Sequence, residues 1–123
     1  MALFTRRSAP EPVEAAPIPV PRPSIDGWTL AGTPLAAKLP KPDLRELETL
    51  LHGIAVHADT PYTYERAAVL LERAGEVGQA LSVCDAWLAL PAAKWPEYGH
   101  HTRAIEKRRA RLRLRQPATR VAS

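Results

Sequence analysis

Residues 60–90 read TPYTYERAAVLLERAGEVGQALSVCDAWLAL, and this stretch decides the fold. Thr60-Pro61 pairs a residue suited to an N-cap with a proline at the first helical position, where its missing N–H costs nothing. Tyr64, Ala67, Ala68 and Leu71 then recur at helical spacing and give a packing face. Gly75 closes this helix, because glycine enters the left-handed conformation of a C′ residue without a Cβ clash. Val77, Ala80, Leu81, Cys84, Trp87 and Leu88 form the stripe of the next helix, and Pro91 ends it. The spacing predicts helices over 60–74 and 76–90 joined by a tight turn.

The signals continue on both sides. Upstream, Leu44, Leu47, Leu51 and Ile54 follow i, i+3, i+7 and i+10 with Leu50 beside them, which predicts a helix over 43–57. Asp43 suits its N-cap, and Glu46 three residues later makes an Asp-led relative of the capping box. Downstream, 102–115 reads as a basic helix whose large apolar residues are Ile105, Leu112 and Leu114, with 92–99 as loop or first turn. The expected fold class is all-α: a short antiparallel helical hairpin array of three to four helices over 43–115. A disordered, Pro-rich arm over 1–42 precedes it, and a disordered tail over 116–123 follows.

The pair of helices over 60–90 resembles a tetratricopeptide repeat, a 34-residue helix–turn–helix with large and small residues at set positions. Tyr64 stands at the first aromatic position of that pattern. Ala67 and Ala68 stand at its large–small pair, with Ala67 smaller than the usual leucine. Leu71 takes the next large position, Gly75 the turn glycine, and Ala80 the small residue where the helices cross. Cys84 stands at the second-helix aromatic position, and Leu88 and Leu90 close the repeat. Trp87 departs from the pattern, which wants a small residue there. One repeat earlier, Leu50, Gly53, Ile54 and Val56 fall at matching positions, although Glu46 replaces the alanine. One repeat later the match fails at His101, Thr102 and Arg109. The resemblance covers about residues 44–90, and an unrelated helical hairpin is the other reading of the same residues.

The resemblance implies about one and a half repeats plus a capping helix. Such units bury their faces against neighbours, so a short array invites self-association or a partner. It implies a protein-binding scaffold rather than a catalyst, with Tyr62, Glu65, Val69, Glu72 and Arg73 lining the concave side. The first four make a mildly acidic, tyrosine-bearing surface suited to a basic or mixed peptide. A solvated helix face is the plainer reading of those residues.

The arm holds nine of the thirteen prolines. In Pro17-Ile18-Pro19-Val20-Pro21-Arg22-Pro23 every second residue is proline, which favours stiff extended backbone over helix. No two prolines of the arm stand three apart, so the PxxP ligand of SH3-type grooves is absent and a linker is expected. Trp28, Leu30 and Leu35 interrupt it. Trp28 is an anchor either for a partner or for the chain's own helices.

The formal net charge of +4 conceals a strong segregation. Residues 42–101 carry four basic and nine acidic side chains, and residues 102–123 carry eight and one. The basic helix presents Arg103, Lys107, Arg108, Arg109, Arg111, Arg113 and Arg115. Nonspecific phosphate contacts through these residues make a nucleic-acid-associated protein the alternative function. No aromatic is interleaved to stack a base. Pairing of the basic helix with the acidic middle is the competing outcome. Thirteen arginines against four lysines, with 21 alanines, also fit GC-rich codons, which lowers the weight of the arginine excess.

Other classes find little support. One cysteine gives no intramolecular disulfide, and no run approaches the ~20 apolar residues of a membrane span. Arg6-Arg7 is not followed by a signal-type apolar stretch, and Ala2 excludes N-myristoylation, so a cytoplasmic location is expected. His52 and His57 are five apart, off the spacing of a shared ligand face. His100-His101, near Glu97 and Glu106, reads as surface histidines before zinc ligands. Cys84 lies in an apolar stripe and reads as a buried thiol. Gly75 and Gly78 lack the lysine and strand of a phosphate loop, and Ser24 and Ser82 lack a nucleophile elbow. No catalytic residue, cofactor or metal is assigned. The expected function is a small non-catalytic protein-interaction module that binds another protein or a second copy of itself.

Overall fold

A computed structural model describes residues 17–56 and 60–116. A short hairpin of β1 (Arg22–Ser24) and β2 (Gly27–Thr29) comes first, followed by a 3-10 turn at Pro34–Ala37. Four helices follow: α1 (Lys41–Ala55), α2 (Pro61–Arg73), α3 (Val77–Leu88) and α4 (Gly99–Arg115). Two 3-10 turns, Pro91–Lys94 and Pro96–Tyr98, link α3 to α4. The architecture is the expected helical array. Residues 1–16 of the arm, His57 of the predicted first helix and residues 117–123 of the tail lie outside the described residues.

The α2–α3 turn follows the sequence closely. Gly75 adopts φ +78°, its N–H donates to Glu72 O, and the N–H of Glu76 donates to Leu71 O. These paired bonds satisfy carbonyls that the helix end leaves open. The predicted cap of α1 is different. The helix starts at Lys41, with Pro40 at the N-cap and no side-chain cap bond. Asp43 and Glu46 instead reach across to Arg73 and Arg66 of α2. A proline at the helix start needs no donor satisfied, so the carboxylates are released for pairing between helices.

Trp87 sits at the centre of the core and is fully buried. Its ring lies 5.4 Å from Tyr64 of α2 and 5.7 Å from Tyr98 ahead of α4. The indole Nε1–H donates to Thr102 Oγ1 at 3.1 Å, and that hydroxyl donates to Ala93 O at 2.7 Å. The large side chain at this position has a structural role. The indole fills the space beneath the 91–98 connection, and Thr102 satisfies its polar atom. Ile105 and Leu112, seven apart, are the buried residues of α4. Leu114 is 88 % exposed and takes no part in the core.

From Pro17 onward the arm is described, and part of it packs on the helices. Leu30 is fully buried, and Pro21, Leu35 and Leu39 are buried with it. Glu48 of α1 anchors the segment by accepting from Thr29 Oγ1 at 2.9 Å and from the Leu30 N–H at 2.5 Å. The alternating prolines suit an extended edge strand as well as a linker, and Gly27 at φ +114° allows the tight reversal. Three leucines spaced along the segment then supply the apolar burial that holds it on α1.

Two substitutions probe this core. Leu30→Ala should destabilise the chain by about 2–5 kcal/mol in urea unfolding, as for a buried leucine, whereas a free arm predicts no change. Trp87→Ala should cost about 3–5 kcal/mol in the same measurement.

Candidate functional site

The face of α2 proposed from sequence lies between α1 and α4. Glu65 and Glu72 are seven apart on α2, and His101 and Arg108 are seven apart on α4. His101 Nδ1 lies 3.5 Å from Glu65 Oε1, and Arg108 Nη1 lies 2.8 Å from Glu72 Oε1. Both pairings advance in the same direction, so α2 and α4 run parallel with α3 behind them. On the other flank, Arg66 of α2 makes a two-pronged bond to Glu46 of α1 at 2.7 and 3.0 Å. Arg73 lies 3.6 Å from Asp43.

Between these rows lie two shallow pockets that share Val69, together taken as one groove with Val69 at its middle. One half, of about 200 Å³, is lined by Tyr62, Glu65, Arg66 and Val69. The other, of about 340 Å³, is lined by Val69, Glu72, Arg73, Arg108, Arg111 and Arg115. Tyr62 is 61 % exposed. All five residues proposed on α2 therefore line one groove. Arg66 belongs with them, and sequence reading passed over it because its pairing with Glu46 joins two helices 20 residues apart.

Glu72 is the electrostatic hub. Its carboxylate accepts from Arg108, from Arg111 Nη2 at 2.8 and 3.0 Å, and from Arg115 Nη1 at 2.5 Å. The three arginines follow i, i+3 and i+7 and form one stripe of α4. Burial alone would raise the Glu72 carboxyl, but the hydrogen bonds and charges of Arg111 and Arg108 outweigh it and hold it below the ordinary value. Glu46 is likewise lowered, chiefly by the hydrogen bond from Arg66. The groove is accordingly not the acidic surface expected from α2 alone. Around Glu72, four guanidiniums from Arg73, Arg108, Arg111 and Arg115 face the two carboxylates of Glu72 and Asp43.

The basic helix is thus divided. Arg108, Arg111 and Arg115 turn to Glu72, and Arg109 Nε bonds Asp85 Oδ1 of α3 at 2.5 Å. Arg103, Lys107 and Arg113 are exposed and make no ion pair among the described residues. Trp28 lines neither half of the groove. It folds back on α1, stacked on His52 with ring centroids 4.4 Å apart and planes at 27°, and stays 45 % exposed.

Burial pushes the Cys84 thiol up to about 11, so at neutral pH it is protonated and a poor nucleophile. Among the described residues no three His, Cys, Asp or Glu side chains gather to hold a metal ion. Among them, too, no helix is long and apolar enough to cross a membrane.

The lowered carboxyls fix a direction of pH dependence. A carboxyl held down in the folded state contributes stability above its unfolded pKa and loses it as pH falls through the folded value. Glu72→Gln should therefore lower the unfolding free energy near neutral pH, read from urea denaturation, by about 1–2 kcal/mol. It should also flatten the loss of stability between about pH 5 and pH 3 relative to the parent chain. Parallel acid limbs in the two proteins would contradict the role given to Glu72. Comparison of the chain with family models, with curated proteins and with solved structures returns no match.

Proposed function

We propose that this chain is a small non-catalytic interaction module of tetratricopeptide-like build, which receives a polypeptide segment in the groove between α2 and α4. The observation that carries this reading is the pairing of an exposed ring with an open groove. Tyr62 is 61 % exposed, and Val69 joins the two halves of the groove beside it. Exposed aromatic residues beside half-buried aliphatic ones are favourable anchors for a partner, because they bury much area with few rotors to freeze. The walls are ordered beforehand by Glu46–Arg66 on one side and Glu72 with its arginines on the other. An ordered wall lowers the entropic cost of binding.

The second reading, nonspecific phosphate contact through α4, is favoured by Arg103, Lys107 and Arg113, which are exposed and make no ion pair among the described residues. It rests on these three rather than on all seven basic residues of the helix, since the other four are engaged within the chain.

A random-peptide library panned against the immobilised full chain tests the interaction reading. Peptides should enrich, and Val69→Glu or Tyr62→Ala should weaken them by about tenfold or more while the helical circular dichroism is retained. A library that enriches nothing, or peptides indifferent to both substitutions, would sink it.

A further inference from the structure

We infer that the half of the groove between Val69 and Arg115 is selective for an acidic peptide segment, whose carboxylates bind the guanidinium groups gathered around Glu72. This rests on the groove being a polypeptide site, as proposed above, and specifies the chemistry of its occupant.

The charge count motivates the inference. Four guanidiniums and one carboxylate, Glu72, line this half, and Asp43 lies 3.6 Å from Arg73 at its border, so positive charge stays in excess by two even with Asp43 counted. A guanidinium has five N–H donors, and a carboxylate has about four acceptor positions. Glu72 already accepts bonds from three guanidiniums and is close to saturated, so it cannot satisfy the donors that remain. Those donors are open to solvent: the side chains of Arg111, Arg115 and Arg73 are 52 %, 46 % and 53 % exposed. An entering carboxylate therefore meets donors that are already aimed and already close to one another. The shared bonds to Glu72 hold the arginines in place, so little side-chain freedom is lost on binding. Charge-assisted bonds between a guanidinium and a carboxylate are also stronger than neutral ones.

The same geometry favours a peptide over a nucleic acid. The basic half shares Val69 with the half lined by Tyr62, Glu65 and Arg66. A ligand lying along the groove would set anionic groups on the arginines and an apolar side chain on Val69 and Tyr62, a mixture that an acidic peptide with an aliphatic residue provides. A phosphate backbone offers charge without that apolar element, and the outward cations Arg103, Lys107 and Arg113 would meet it without entering the groove.

The test is fluorescence anisotropy with the full chain at physiological salt. The probes are a labelled Glu-rich peptide carrying a leucine, its counterpart with Gln in place of every Glu, and a labelled DNA duplex. The Glu-rich peptide should bind about tenfold more tightly than its Gln counterpart. The double variant Arg111→Gln/Arg115→Gln should remove most of that difference. Lys107→Gln/Arg113→Gln, with the same change in net charge, should leave it in place. Arg108 still bonds Glu72 in the first variant, and both pairs are exposed, so both proteins should fold. Equal loss in the two variants would mean long-range attraction without a site, and would overturn the inference. Equal binding of the two peptides, or binding of neither, would also overturn it. Equal binding that remains sensitive to Val69→Glu would spare the groove as a polypeptide site. Duplex DNA binding more tightly than the Glu-rich peptide, with dependence on Arg111 and Arg115, would transfer the groove to nucleic acid.

Discussion

The docking of α4 alongside α2 is the constraint on which the rest depends. Two interactions produce it, and their magnitudes give them different parts. Ile105 and Leu112 are buried, at about 1.5–3 kcal/mol each, and they hold the helix to the domain. Ion pairs of the partly exposed kind are worth about 1 kcal/mol or less each, so Glu72 and its three arginines contribute less to attachment. What they supply is direction. Arg108, Arg111 and Arg115 lie on one flank of α4 and Arg109 on the other, and the acidic partners wait on α2 and α3 respectively. The helix can seat its two apolar residues and satisfy both flanks in one rotation only.

That rotation is also what makes the groove. It sets arginines opposite the α2 face and gives the groove an excess of positive charge that α2 alone, with Glu65, Arg66, Glu72 and Arg73, would lack. Trp87 supports the same arrangement from behind. Its indole fills the space under the connection between α3 and α4, and its N–H ties Thr102 near the start of α4. A small residue at position 87 would leave a cavity where that connection needs a floor. The bulk of Trp87 and the placement of the final helix thus go together.

At the opposite end the hairpin segment covers the outer face of α1. An array of stacked helices leaves an apolar face at its first member, and that face needs cover. Leu30, Leu35 and Leu39 provide it, and Glu48 fixes the segment by bonding Thr29 and the backbone of Leu30. Trp28 then lies over His52 as part of the cover, with nearly half of its surface still exposed. Both ends of the short array are closed by the chain itself.

The helices, the glycine turn between α2 and α3 and the segregation of charge were all legible in the sequence, because each is a local property. Periodicity, a positive φ and a run of arginines involve only near neighbours in the chain. The five groove residues of α2 were named from the resemblance to a helical repeat, and in the structure they share one helical face. What each acid would meet was not legible. Asp43 and Glu46 look like caps until Pro40 and Lys41 begin the helix and free them for α2, and Arg66 carries no signal until Glu46 stands beside it. The alternating prolines specify extended backbone but are silent on whether that backbone packs, and three separated leucines decided it. Only tertiary structure brought residues 72 and 115 together and so set the sign of the groove, because charge pairing across 43 residues depends on where the buried side chains seat the helix.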